Sequence, residues 1–160
     1  AELGAVSAEH LIAVSQPGIA KLGASDTAAI LLPGVPFFLM LEKRAPARRL
    51  IDAGAVVALA SDFNPGSSHL NSMPFVLQLG VFTLGLTVEE AVNACTGNAA
   101  YAIRRHASVG SLEPGKKMDL VLCDIPGYVS LAYEPARNFV RTVVKNGKVV
   151  VADGRKVGAR

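Results

Sequence analysis

The side chains best suited to chemistry are concentrated in one short run, Asp62-Phe63-Asn64-Pro65-Gly66-Ser67. It offers a carboxylate, a carboxamide and a hydroxyl in quick succession, and Gly66 permits close backbone approach. Residues 55–60, immediately before it, are the continuous apolar sequence Ala-Val-Val-Ala-Leu-Ala. Such a run has the length and composition of a strand buried on both faces of a parallel sheet. Asp62 then emerges where the strand stops, the layout of a catalytic group at the C-terminal face of a β/α barrel. The same residues also suit an Asx-turn, with Asp62 or Asn64 bonding its own backbone ahead of Pro65.

The elements that must position this run are readable on either side of it. Residues 5–12 read as a short strand ending near His10. Residues 15–23, with Pro17 early and Gly23 last, carry the punctuation of a short helix. Residues 28–32 are a second buried strand closed by Pro33-Gly34. Residues 46–54 form an amphipathic helix, with Ala47, Leu50, Ile51 and Ala53 on its apolar side and Arg48, Arg49 and Asp52 on the other. Alternating strand and helix predicts βαβ units and a parallel sheet, and three strands are too few to close a barrel. Residues 73–84 look helical. Thr87 and Glu90 form a capping box that starts a further helix running toward Ile103.

From Gly110 the pattern changes. Residues 110–115 are a turn-rich connector, residues 119–124 a strand, and Asn146-Gly147 joins residues 140–145 to 148–151 as a hairpin. Asp119 is expected to anchor a turn of this small β module.

Composition narrows the function classes. With 160 residues and 51% hydrophobic content, the chain has material for a substantial core. Its net charge is +3, but the basic residues fall in separate clusters and no Trp is present, so the surface reads as solvated rather than as a nucleic-acid face. No apolar run is long enough to span a bilayer and no signal-peptide pattern opens the sequence, so a soluble cytoplasmic protein is expected. Cys95 and Cys123 match no metal-ligand spacing and read as small buried hydrophobes.

Five segments together resemble the C-terminal half of the imidazolonepropionase family, within the amidohydrolase superfamily. They are Ser7-Ala8-Glu9-His10-Leu11, Ile30-Leu31-Leu32-Pro33-Gly34, the Asp62 to Ser68 run, Asn98-Ala99-Ala100-Tyr101-Ala102, and residues 110–116 leading to Asp119-Leu120-Val121. The Asp-Phe-Asn-Pro-Gly-Ser run is the most specific of these. The resemblance implies an α/β fold, the C-terminal part of a (β/α)₈ TIM-type barrel supplying about the last three strands over residues 1–109. Residues 110–160 would form part of a small composite β-sandwich. The implied reaction opens 4-imidazolone-5-propanoate to N-formimidoyl-L-glutamate in histidine degradation, with one divalent metal, zinc or iron. Asp62 matches a metal-ligand aspartate that also accepts a proton from the attacking water. His10 matches a catalytic histidine that polarises the ring carbonyl or shuttles a proton. Asn64 and Gly66 match positions holding the propanoate or product end, and Ser67 one that contacts the imidazolone. A homodimer in the full-length form is also implied, with no nucleic-acid or membrane partner.

The departures from that pattern are equally definite. The superfamily's His-x-His pair, its further metal histidine and its catalytic glutamate have no counterpart here. The remaining metal ligands are therefore expected upstream of Ala1, and the chain alone is expected to be inactive, as a C-terminal fragment. His69 reads as an exposed loop histidine and His106 as a cation near a helix end. Two rival readings stand beside this one: another cyclic-amide hydrolase or deaminase of the superfamily, and a non-catalytic half-barrel acting as an assembly partner.

Overall fold

The computed structural model describes residues 1–135 and 137–158. Three parallel strands, β1 (Ser7–Glu9), β2 (Ala28–Leu31) and β3 (Val57–Leu59), form a sheet in the order β1-β2-β3. Helix α1 (Gln16–Gly23) joins the first pair, while α2 (Gly34–Phe38) and α3 (Ala47–Asp52) lie between the second. Side chains alternate across the sheet as its pleat requires. Ala29, Leu31, Val57 and Leu59 join Ile19, Leu22, Leu50 and Val76 in the main core, while Ala28 and Ala58 pack with Ala102 on the other face.

Local chemistry explains the helix starts. The Ser15 hydroxyl accepts from Gly18 N–H and Pro17 sits in the first turn of α1. Pro33-Gly34, expected as a simple break, instead leads directly into α2. The φ of Pro33 is −65°, already that of a helical turn. Ala53, expected on the apolar side of α3, is exposed, whereas Ala47 and Leu50 are buried as expected.

Helix α4 (Met73–Leu84) ends at Gly85, whose φ of +70° closes it in the left-handed conformation. Helix α5 (Val88–Cys95) begins with the capping box: Glu90 N–H donates to the Thr87 hydroxyl and Thr87 N–H to the Glu90 carboxylate. The continuous helix expected to run toward Ile103 breaks at Thr96, and α6 (Gly97–Ala102) leaves in a new direction. Tertiary bonds hold the break. The Asn98 amide donates to Val57 O at 2.8 Å and the Tyr101 hydroxyl to Asp26 O at 2.9 Å. These bonds seat α6 beneath the N-terminal ends of β2 and β3.

The second sheet is antiparallel, in the order β4-β5-β6-β7: β4 (Leu120–Cys123), β5 (Val140–Lys145), β6 (Lys148–Ala152) and β7 (Arg155–Lys156). The short helix α7 (Ser130–Tyr133) precedes β5. Asn146 and Gly147 both have positive φ, 49° and 75°, as a type I′ hairpin turn requires. The Asp119 carboxylate accepts from Asn146 N–H at 2.7 Å and from Lys145, anchoring that turn. Gln78, buried on α4, donates to Leu131 O and Glu134 O and so ties α7 to the barrel segment. Sequence patterning did not reveal α7 or β7, each of which spans only about one period of its pattern. Cys95 and Cys123 are free thiols, and burial pushes Cys95 up to about 12. Among the described residues no helix is long and apolar enough to cross a membrane.

Candidate active site

Because the strands of the first sheet are parallel, the residues that follow β1 and β3 emerge at the same edge. His10 leaves β1 with φ +65°, and Leu11 N–H closes back on Glu9 O at 2.8 Å. After β3, Ala60 N–H still bonds Leu31 O at 3.2 Å, and Asp62 then turns out with φ +49°. Asp and His are among the residues that tolerate this left-handed region best. With β2 between them, the two backbones are separated by two strand spacings, about 9–10 Å. Their side chains converge nonetheless: His10 Nε2 lies 3.9 Å from Asp62 Oδ2, with the imidazole half-exposed and the carboxylate one-third exposed. That gap is too long for a direct hydrogen bond. A carboxylate and an imidazole thus stand side by side at the strand ends, two groups of the types that can serve acid–base chemistry.

The loop after Asp62 is organised by Asn64. Its side-chain oxygen accepts from both Gly66 N–H and Ser67 N–H at 2.8 Å. Its amide donates to Asp62 O at 2.6 Å and to Ser67 Oγ at 3.2 Å. Asn64, rather than Asp62, therefore builds the Asx-turn that the sequence also allowed, and this leaves the Asp62 carboxylate facing His10. Gly66 is tightly placed, since a β-carbon there would lie 3.3 Å from Asn64 Oδ1. The turn ends where Asn64 N–H bonds Ser68 O at 2.9 Å and the Ser68 hydroxyl donates to Ser61 O at 2.9 Å.

The other two histidines are seated against aromatic rings. His69 is exposed at the rim, with its ring centroid 6.3 Å from that of Phe38 and 5.9 Å from that of Phe63. His106 packs on Tyr101 at 5.3 Å, at the opposite end of the sheet beside α6. Sequence reading missed the aromatic rim contributed by α2 and gave the Ser68 hydroxyl no role.

A larger cleft of about 910 Å³ lies between the Ile30 and Ala58 face of the first sheet and the Val121 and Val143 face of the second. Its lining is overwhelmingly apolar, and the acid within it, Asp119, is committed to the hairpin turn. The His10 and Asp62 pair lies outside this cleft, at the strand ends. Among the described residues no group of three or more His, Cys, Asp or Glu is placed to hold a metal ion. A catalytic zinc takes three protein ligands. His10 and Asp62 are two donors, so the described residues do not by themselves fit such an ion.

Residues 40–150 match the sequence profile of the amidohydrolase family. Two similar relatives are the imidazolonepropionases of Geobacillus sp. (strain WCH70) and Geobacillus kaustophilus (strain HTA426), 53% and 52% identical over 155 residues. Each alignment covers 97% of this chain and 36% of the relative, so the chain spans little more than a third of the length of these curated relatives. Two solved structures share the fold at 20% identity, each over 96% of this chain and 38% of its own. One is an adenosine deaminase from Xanthomonas campestris with bound zinc, with a TM-score of 0.87. The other is an atrazine chlorohydrolase from Arthrobacter aurescens TC1 complexed with zinc and atraton, with a TM-score of 0.85. The expected architecture, part of a β/α barrel followed by a small sheet, agrees with these likenesses.

Proposed function

Because this chain belongs to the amidohydrolase family, we propose that it is part of an imidazolonepropionase, which hydrolyses 4-imidazolone-5-propanoate to N-formimidoyl-L-glutamate. The observation that carries this reading is the identity of about half of all aligned positions, over nearly the whole chain, to enzymes of that name. The convergence of His10 and Asp62 supports it chemically. Opening the ring adds water to the ring carbonyl carbon and breaks its bond to the ring nitrogen. Asp62 accepts the proton released by the water. His10 hydrogen-bonds the carbonyl oxygen as charge develops there and passes a proton to the departing nitrogen. Asn64, Gly66 and Ser67 form the turn that receives the propanoate end and the ring.

The proposal includes one divalent metal, zinc or iron, in the complete enzyme. This chain contributes Asp62 to it and the other ligands come from outside the chain. Residues 1–109 are then the barrel portion and 110–160 part of a composite sandwich. The complete enzyme is a cytoplasmic homodimer. The exposed apolar segment Phe37 to Leu41 is in keeping with contacts to further protein.

The test is to incubate the full-length, metal-loaded protein carrying this segment with 4-imidazolone-5-propanoate and identify the product by mass spectrometry. Formation of N-formimidoyl-L-glutamate is expected, with none from residues 1–160 alone. An intact substrate after exposure to folded, metal-loaded protein would overturn the reading.

A further inference from the structure

We propose that Ser68 is a positioning residue for Asp62, acting through the carbonyl of Ser61 from a seat that Gly34 leaves open. The inference rests on the reading of Asp62 as a catalytic group and adds a residue that sequence reasoning left without a role.

Ser68 is wholly buried, and its hydroxyl donates to Ser61 O at 2.9 Å. Buried hydroxyls are kept where they satisfy a partner, and this partner is the peptide immediately before Asp62. On the other side of Asp62, the carbonyl of Asp62 itself is held by the Asn64 amide at 2.6 Å. Both peptides flanking Asp62 are therefore fixed by side chains from its own loop. The residue between them stands at φ +49°, a left-handed conformation that Asp tolerates better than most residues but that still costs free energy relative to an ordinary φ. Without the Ser68 bond, the Ser61 peptide is free to rotate. Asp62 can then relax toward an ordinary φ, carrying its carboxylate away from His10.

Gly34 explains how the hydroxyl fits. A β-carbon at this position would lie 2.9 Å from Ser68 Oγ, 3.1 Å from Leu70 Cδ2 and 3.5 Å from Ser61 O. A side chain at the position after Pro33 would thus press on the donor oxygen of the bond, while its contact with the acceptor would be an ordinary one. The Leu32-Pro33-Gly34 strand end keeps the backbone close and bare so that the neighbouring strand's catalytic residue can be braced across it. Replacing Gly34 by Ala would displace the hydroxyl without altering its chemistry. Once the hydroxyl has been removed, most of that conflict disappears.

The test is a set of full-length proteins: wild type, Ser68→Ala, Gly34→Ala and the double variant. Each is assayed for kcat and KM on 4-imidazolone-5-propanoate per folded molecule, and for amide hydrogen exchange across residues 61–68. A displaced catalytic group costs about 10–100-fold in rate. Both single variants are expected to lose that much kcat with KM within about twofold, and the double variant to be no slower than Ser68→Ala. Exchange at Asn64, Gly66 and Ser67 N–H is expected to quicken about tenfold in Ser68→Ala, with the helices unchanged. A Ser68→Ala protein with wild-type kcat, or a double variant showing the product of the two single losses, would overturn the proposal. If wild type does not consume the imidazolone, the proposed function fails on its own. The role of Ser68 is then decided by exchange, and unchanged protection across 61–68 in Ser68→Ala would remove it.

Discussion

Replacing Asn64 by alanine separates two ways in which this residue can serve the site. Truncation removes partners from three backbone groups: Gly66 N–H and Ser67 N–H, both held at 2.8 Å, and Asp62 O, held at 2.6 Å. At about 0.5–1.5 kcal/mol net for each lost bond, the ceiling is about 4.5 kcal/mol. Gly66 is exposed and Asn64 and Ser67 are half-buried, so water replaces part of what is lost and about 2 kcal/mol is the reasoned cost. Because this chain is little more than a third of the length of its relatives, the full-length protein should lose only about 2–4 °C in Tm. Asn64→Asp keeps an acceptor for the two N–H groups but loses the bond to Asp62 O and adds a negative charge beside Asp62, so it is expected to fall between Ala and wild type in stability. Thermal unfolding of the full-length protein, with kcat and KM measured on the same samples, reads both effects. Activity is expected to fall about 10–100-fold, chiefly in kcat, because the turn braces Asp62. A raised KM with Tm and kcat unchanged would refute the turn-building role and leave Asn64 as a simple substrate contact.

Further expectations follow from the packing and the caps. A β-carbon on Gly23 would collide with the Ala53 carbonyl oxygen, rigid backbone where the C-terminal ends of α1 and α3 meet; Gly23→Ala should cost about 3 kcal/mol in urea denaturation, and a loss below about 0.5 kcal/mol would contradict that close approach. Thr87→Ala removes the acceptor for Glu90 N–H and should cost about 1 kcal/mol by the same assay, whereas an unchanged midpoint would mean that the cap is dispensable. Arg48, and after it Thr87 N–H, hold the Glu90 carboxyl below the usual range. Its stabilising effect is therefore complete above about pH 4.3 and is lost as pH falls through the depressed folded value; Glu90→Gln should flatten the acid side of the stability curve, and superimposable curves would exclude that linkage. Burial pushes the Cys95 thiol up to about 12, so at pH 8 it should resist iodoacetamide in the folded protein and react after denaturation; rapid native labelling would contradict its burial.

The elements that proved legible in the sequence are those specified by local chemistry. The apolar runs at 28–32 and 55–60 contain the strands Ala28–Leu31 and Val57–Leu59, Thr87 and Glu90 start a helix, and Asn146-Gly147 turns a hairpin, each because neighbouring residues determine the conformation. The break between α5 and α6 was not legible. Gly97 inside a helical pattern costs only about 1 kcal/mol, and it is Asn98 reaching Val57 O and Tyr101 reaching Asp26 O that turn the chain there. The site divides in the same way. Asp62 announced itself as a strand-end carboxylate. His10 did not, because its proximity to Asp62 depends on the sheet order β1-β2-β3, and only the family resemblance pointed to it. Asn64 was readable both as a turn former and as a ligand contact. The structure places its side chain within the turn, where its oxygen accepts from Gly66 N–H and Ser67 N–H and its amide donates to Asp62 O.

The most direct test of a shared acid–base centre is the loss of imidazolone absorbance catalysed by full-length wild type, His10→Gln, Asp62→Asn and the double variant, all metal-loaded and folded. Each single substitution is expected to lower the rate by about 10²–10⁴-fold. The double variant should be no slower than the worse single one, as for groups that act as a unit. Wild-type turnover in His10→Gln, or a double variant whose loss is the product of the two single losses, would contradict a joint role for the residues that meet across β2.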